Sequence, residues 1–275
     1  MSRARHRWLV VLVVASLALG GCDAVQWTYN NARVLLLPKL KNLTDWTDAQ
    51  KTQINQEFDR YMGWHRRTML PAYAALLRKT SALLDGATPQ AIDANRQAWS
   101  QAWLQTMQPT VEPAARLLSA LDARQLLELE KNFAEEDGDA RKDLAKKTPA
   151  ERQKKRDKEL VERIDDWSGG LTDAQQQALS TAARAIPLRD EAMVTDRQKM
   201  RVELMILLRK KAGAGEVAKF FGAWFDQRRR KLDAETGPAW NGFLQTTVRV
   251  LDAGQRRAVQ AKLAGYVQDC EELAH

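Results

Sequence analysis

A pattern of five residues recurs four times along this chain, and it marks the beginning of a helix: WTDAQ at 46–50, LDARQ at 121–125, LTDAQ at 171–175 and LDAGQ at 251–255. In each, Thr or Asp stands three residues before Gln, which is the spacing of a capping box. The side chain of Thr47, Asp122, Thr172 or Asp252 accepts from the third helical N–H, while Gln50, Gln125, Gln175 or Gln255 reaches back to the N–H of its cap. An apolar residue precedes every cap, placed to pack on the first turn. Ile54, Leu129, Leu179 and Val259 each follow their glutamine by four residues. TPAE at 148–151 is a related start, with Pro149 at the favoured first helical position and Glu151 closing the box. A cap is worth about 1 kcal/mol, so these residues read as structural. Thr172→Ala should carry that cost, and Gln175→Ala a smaller one.

The rest of the chain agrees with helix. It is rich in Ala, Leu, Gln, Lys, Arg and Glu, and no stretch alternates apolar and polar residues long enough for a sheet. Ile54, Phe58, Tyr61, His65, Met69, Ala72 and Leu76 recur at spacings of three and four, one stripe of a long helix that Pro71 should kink. The four motifs fall into two pairs, offset by 125 and 130 residues, and LLRK occurs before the second motif of each pair, at 76–79 and 207–210. Gly86 and Gly213 follow the two LLRK segments as helix stops. The fold class is therefore all-α, a multi-helix body of two related units that descend from a tandem duplication. Unit one spans 43–137 and unit two 167–275, with Gln50 equivalent to Gln175 and Gln125 to Gln255. Between them, residues 138–166 mix Lys, Arg, Asp and Glu at helical spacing and read as a long, solvent-exposed connecting helix ended by Gly169 and Gly170.

The amino terminus speaks to location. Arg3, Arg5 and Arg7 precede an apolar run at 8–19, and LGGC at 19–22 closes it. That order is a secretory signal peptide over 1–21, and the run is too short for a confident membrane span. LGGC resembles the bacterial lipobox, which implies acylation of Cys22. An uncleaved anchor helix is the alternative, and it also puts the remaining chain outside the cytoplasm and against a membrane. Residues 22–42 then form a lipid-anchored segment that holds Trp27, Tyr29 and the run VLLLP. Packing on the body is favoured for it over an interfacial position.

Export narrows the partners. Removal of three leader arginines from the 43 basic residues leaves 40 against 35 acidic, a mild excess. An exported chain does not meet cellular nucleic acid, so none is expected. Anionic lipid, lipopolysaccharide or acidic polypeptide remains for KKR at 154–156, RKK at 209–211 and RRRK at 228–231, although solvated helix faces are the favoured reading of such runs. Acylation of Cys22 leaves Cys270 alone, either buried or open to an intermolecular link.

Catalytic patterns are missing. HExxH, CxxC, GxSxG and phosphate-cradling glycine loops do not occur, and two histidines, His65 and His275, follow the leader. We expect no enzyme activity, metal or cofactor. His65 on the apolar stripe is expected to be a satisfied, partly buried histidine. Arg66 and Arg67 either contact an acidic partner or bridge to a neighbouring helix, and Trp64, Trp99, Trp103 and Trp224 read as core. Trp64, His65, Arg66 and Arg67 are the candidate partner contacts.

LTDAQ is similar to the LTxxQ motif of the Spy and CpxP group of periplasmic helical proteins, which are ATP-independent chaperones or stress-response regulators. Three of the four copies depart from it, through Trp46 or through Asp in place of Thr. LGGC, WHRR at 64–67, LPAY at 70–73 and WSGGLTDAQ at 167–175 together resemble an uncharacterised family of proteobacterial lipoproteins with a domain of unknown function. These resemblances imply a periplasm-facing protein of the cell envelope, lipid-anchored to the inner or outer membrane, that acts by binding. It would be chaperone-like or regulatory toward envelope polypeptides; the alternative is a structural scaffold or adaptor of an envelope complex.

Overall fold

The computed structural model describes residues 22–275, and over them the chain is all-α, with ten α-helices and no strand. The signal-peptide assignment at 1–21 and the side chain of Cys22 lie outside the described residues. In chain order the helices are α1 (Cys22–Asn30), α2 (Ala32–Lys41), α3 (Asp48–Ala82), α4 (Pro89–Ser119), α5 (Ala123–Ala145), α6 (Pro149–Ser168), α7 (Asp173–Arg184), α8 (Asp190–Arg209), α9 (Ala214–Val250) and α10 (Ala253–Ala274). A 3₁₀ turn at Leu83–Asp85 extends α3 to Gly86, whose φ of 116° is a left-handed conformation open to glycine.

All four recurrent motifs open a helix through a complete capping box, at α3, α5, α7 and α10. Thr148 and Glu151 form a fifth box at α6, where Pro149 occupies the first turn. This last start corrects the connecting helix. Residues 138–166 are not one element: the chain leaves α5 at Ala145 and restarts at Pro149, because the Thr148 cap accepts from Glu151 N–H and Pro149 has no N–H to offer a preceding carbonyl. Nor does α6 stand free in solvent. Val161 is buried, and Leu160, Ile164 and Trp167 pack into the body.

Inward faces follow the helical period with one shift. Ile54, Phe58, His65 and Met69 are buried on α3, but past Pro71 the buried positions are Ala74 and Leu77, while Ala72 and Leu76 are half-buried. Two partners cause this, since α3 packs against α10 as well as α4 and needs two adjacent stripes. The helix runs through Pro71 unbroken, whereas Pro187 falls in a true gap between α7 and α8. Ile186 before the proline is steered out of the helical region, and the ladder ends there.

The two halves share cores rather than folding apart. Leu70, Ala74 and Leu77 of α3 meet Leu263, Tyr266, Val267 and Cys270 of α10. Leu129 of α5 meets Leu204, Met205 and Leu208 of α8. Between α4 and α9, Arg96 reaches Asp233 at 2.9 Å, Asn241 donates to Asp93 at 2.6 Å, and Trp103 sets its ring edge to Phe225. If α3 is matched with α7–α8, α4 with α9 and α5 with α10, each of these pairings maps onto another. First-with-third in one sense becomes third-with-first in the other, and α4 with α9 maps onto itself. That is the contact pattern of a two-fold relation. Cys270 is buried in the α3–α10 core, and burial pushes its thiol up to about 11.

Candidate functional site

The capping glutamines do more than close their own boxes. Gln50 and Gln125 lie 75 residues apart in sequence, yet their side-chain amides pair. Gln125 Nε2 donates to Gln50 Oε1 at 2.7 Å and to the Asp45 carbonyl at 2.8 Å, and Gln50 Nε2 returns a weaker bond of 3.4 Å to Gln125 Oε1. In the second half Gln175 and Gln255 repeat this. Gln175 Nε2 donates to Gln255 Oε1 at 2.7 Å and to the Val250 carbonyl at 2.7 Å, while Gln255 Nε2 donates to Gln175 Oε1 at 3.0 Å and to the Gly170 carbonyl at 2.7 Å. Asp45 and Gly170 each stand two residues before a cap, so the equivalent glutamines choose equivalent acceptors.

Two helix N-termini, each carrying partial positive charge, are thus joined by neutral amides. The amide oxygen accepts from the backbone N–H of its cap and the amide nitrogen donates across the joint. Only glutamine offers both at this length; a carboxylate would have no donor. The sequence carries the same distinction, because the one box that closes with Glu151 bonds only to Thr148. Thr172 is exposed and contributes its cap alone, so Thr172→Ala is expected to cost about 1 kcal/mol by chemical denaturation. Gln175→Ala is expected to cost more, about 2 kcal/mol, since it also strips a donor from Val250 O and Gln255 Oε1. This reverses the order that capping alone implies.

The candidate partner contacts sit midway along α3, and the structure divides them. His65 is 4 % exposed and shares a 3.0 Å hydrogen bond through Nδ1 with the Tyr29 hydroxyl. Tyr29, Tyr61, Trp64 and Tyr73 ring the imidazole with centroids 5.7–6.2 Å away. In these surroundings burial drives the imidazole down from 6.5 to about 4, and the Tyr29 phenol up to about 12. His65 is therefore neutral and inward, as a satisfied core group. Arg66 also turns to structure: its guanidinium donates to the Leu273 carbonyl at 2.9 Å and lies 5.2 Å over the Tyr29 ring, which ties α3 to the end of α10. Both side chains are engaged within the fold.

Trp64 and Arg67 do face outward. Trp64, Thr68, Met69 and Ala72 of α3 face Gln105, Gln108 and Pro109 of α4 across an open groove of about 360 Å³. Arg67 is exposed, one turn along from Trp64. The tryptophans read as core, Trp99, Trp103 and Trp224, are half-buried at its edge, and Trp99 packs against the α3–α10 cluster. Trp99 is half-buried, stacks on Tyr73 and donates to Thr80 Oγ1 at 3.0 Å; Trp224 lies between Phe225 and the Arg228 guanidinium, 5.3 Å from its ring. Trp46 alone of the described tryptophans is fully buried. Sequence periodicity did not indicate Tyr29, which comes to His65 from a separate helix, whereas Tyr73 stood in plain view eight residues along the same helix.

The basic runs are largely neutralised by neighbours. Arg229 pairs with Asp226 and Asp233, Arg230 with Asp226, Lys231 with Asp196 at 2.9 Å, Arg209 with Glu130, and Lys155 with Glu159. Among the described residues no group of three or more His, Cys, Asp or Glu is arranged to hold a metal ion, and no helix is long and apolar enough to cross a membrane.

Fold and site together define an all-α protein of two interlocked, similarly ordered halves, each closed by a paired capping joint. The chain belongs to a family of unknown function, DUF6279, whose model matches residues 42–218. The matched segment opens just before α3 and ends within α9, ahead of the fourth motif. No curated protein and no solved structure matches the chain.

Proposed function

We propose that this is a lipid-anchored protein of the bacterial cell envelope that binds envelope polypeptides in a chaperone-like or regulatory manner. The observation that carries the binding role is the α3–α4 groove, which sets the half-buried Trp64 ring, Thr68 and Ala72 opposite the exposed amides of Gln105 and Gln108, with the buried Met69 beneath. An aromatic and aliphatic surface accommodates varied apolar side chains, and flanking amides accept or donate to an extended backbone. The likeness of LTDAQ at 171–175 to the LTxxQ motif supports the same class of activity. The ion-paired state of the basic runs weighs against a purely electrostatic partner.

The test is suppression of aggregation of an unfolded client, followed by light scattering. The wild type is expected to suppress it near stoichiometrically, and Ala72→Glu, which puts a charge on the groove floor, to abolish suppression while leaving the helical circular-dichroism signal unchanged. An inert wild type, combined with recovery in a stable stoichiometric envelope complex, would favour the scaffold role instead.

Anchoring is proposed from the arginines, the apolar run and LGGC. Radiolabelled palmitate is expected to enter the wild type and not Cys22→Ser, which should also retain its leader. Absence of label from the wild type would remove the anchor.

A further inference from the structure

Three of the seven large apolar residues exposed among the described residues, Trp27, Val34 and Leu40, fall on the nineteen residues of α1 and α2. The two helices are nearly continuous, because Asn31 N–H donates to the Trp27 carbonyl and Leu35 N–H to the Asn31 carbonyl, both at 3.0 Å. Across such a ladder, spacings of seven and eleven residues return to one face. Trp27, Val34 and Pro38 therefore line a single outward stripe, with Trp27 61 % and Val34 71 % exposed. The opposite side of α1–α2 is already occupied: Tyr29, Ala32 and Leu37 are buried in the body, and Gln26 bonds to Asp269 and Glu272 of α10.

We infer that the outward stripe of α1–α2 lies in the headgroup region of the membrane, so that the body is held in a set orientation rather than tethered loosely. Two observations name the occupant. Arg33 of α2 is paired with Asp59, which leaves Lys39 and Lys41 at the end of α2 against the lone Asp23 of α1, a local balance suited to anionic headgroups. The apolar run at 8–19 precedes α1 and Cys22 is its first residue, which delivers this stripe to the bilayer whether the anchor is an acyl group or the leader itself. A tryptophan with an apolar neighbour two turns away is the composition expected at that depth. The body then stands on the end formed by α1, α2 and the carboxyl terminus of α10, and the exposed Val202 of α8 serves as a site outside the α1–α2 stripe.

This inference rests on the anchored placement proposed above, and the experiment separates the two. The full acylated chain, in which Cys22 carries no free thiol, is reconstituted in phosphatidylethanolamine–phosphatidylglycerol vesicles with a nitroxide at Val34→Cys, and separately at Val202→Cys, and an unacylated chain is tested with Cys22→Ser; Cys270 is buried and does not compete. Relaxation by dissolved oxygen is expected to rise, and relaxation by a water-soluble nickel chelate to be lost, at position 34 alone. If the protein is vesicle-bound and both labels report water, or both report lipid, the oriented stripe is overturned while the anchor stands. If the protein does not float with the vesicles, both fall.

Discussion

Gln125→Ala is expected to lower the stability of the protein by about 3 kcal/mol, the largest loss from any of the four capping motifs. The side chain is 1 % exposed, and its removal takes a partner from the Asp122 N–H, the Asp45 carbonyl and Gln50 Oε1 at once, and leaves a cavity at the centre of the joint. Gln125→Glu is expected to cost nearly as much despite its equal size and its suitability for an ordinary capping box. The new carboxylate faces Asp45 O and Gln50 Oε1, two acceptors, with nothing to donate. In a double-mutant cycle Gln50→Ala and Gln125→Ala should couple by about 1 kcal/mol, read from urea midpoints at constant slope. Additive losses would mean that each glutamine caps its own helix and the joint contributes nothing.

Acidification should expose the second large effect. His65 is held neutral in the folded chain, with its imidazole at about 4 against 6.5 when unburied, so between those values the unfolded chain binds a proton that the folded chain refuses. Stability therefore rises with pH across this window. The full contribution is present above pH 6.5, it declines as the pH falls toward 4, and it is flat below. The total is about 3 kcal/mol by the usual conversion. The groups ringing His65 are Tyr29, Tyr61, Trp64 and Tyr73, none of them a carboxylate able to hold the imidazolium. His65→Gln is expected to be less stable than wild type at pH 7 and to lose less on going to pH 4.5. Identical pH profiles for the two chains would show that His65 protonates freely when folded. At neutral pH the ring of phenols around it acts as a packed joint between α1 and α3.

Much of this molecule is legible residue by residue. Thr47, Asp122, Thr148, Thr172 and Asp252 all cap because a cap is decided within four residues, by one side-chain oxygen and one N–H. His65 belonged to a stripe of spacing three and four, and its burial followed. Other features were misjudged where two local signals competed. The charge pattern at 138–166 suggested one helix, while Thr148 and Pro149 inside it marked a new start, and the cap prevailed because it is worth more than weak surface ion pairs. Arg66 and Arg67 looked alike in WHRR, yet one reaches Leu273 and the other stays exposed, since they point from the helix 100° apart.

What the amino-acid order determined by itself was the class of structure, the helix starts and the order of motifs in the two halves, for these depend on contacts within a turn or on a period of 3.6 residues. Only the tertiary structure decided which helices meet. The pairing of α3 with α10 and of α5 with α8, the joining of Gln50 to Gln125 and of Gln175 to Gln255, and the arrival of Tyr29 at His65 all link residues 36 to more than 200 positions apart. No local pattern encodes them. An amphipathic helix states that one face must be covered and leaves open by what, and the choice falls to the arrangement that buries all the faces at once.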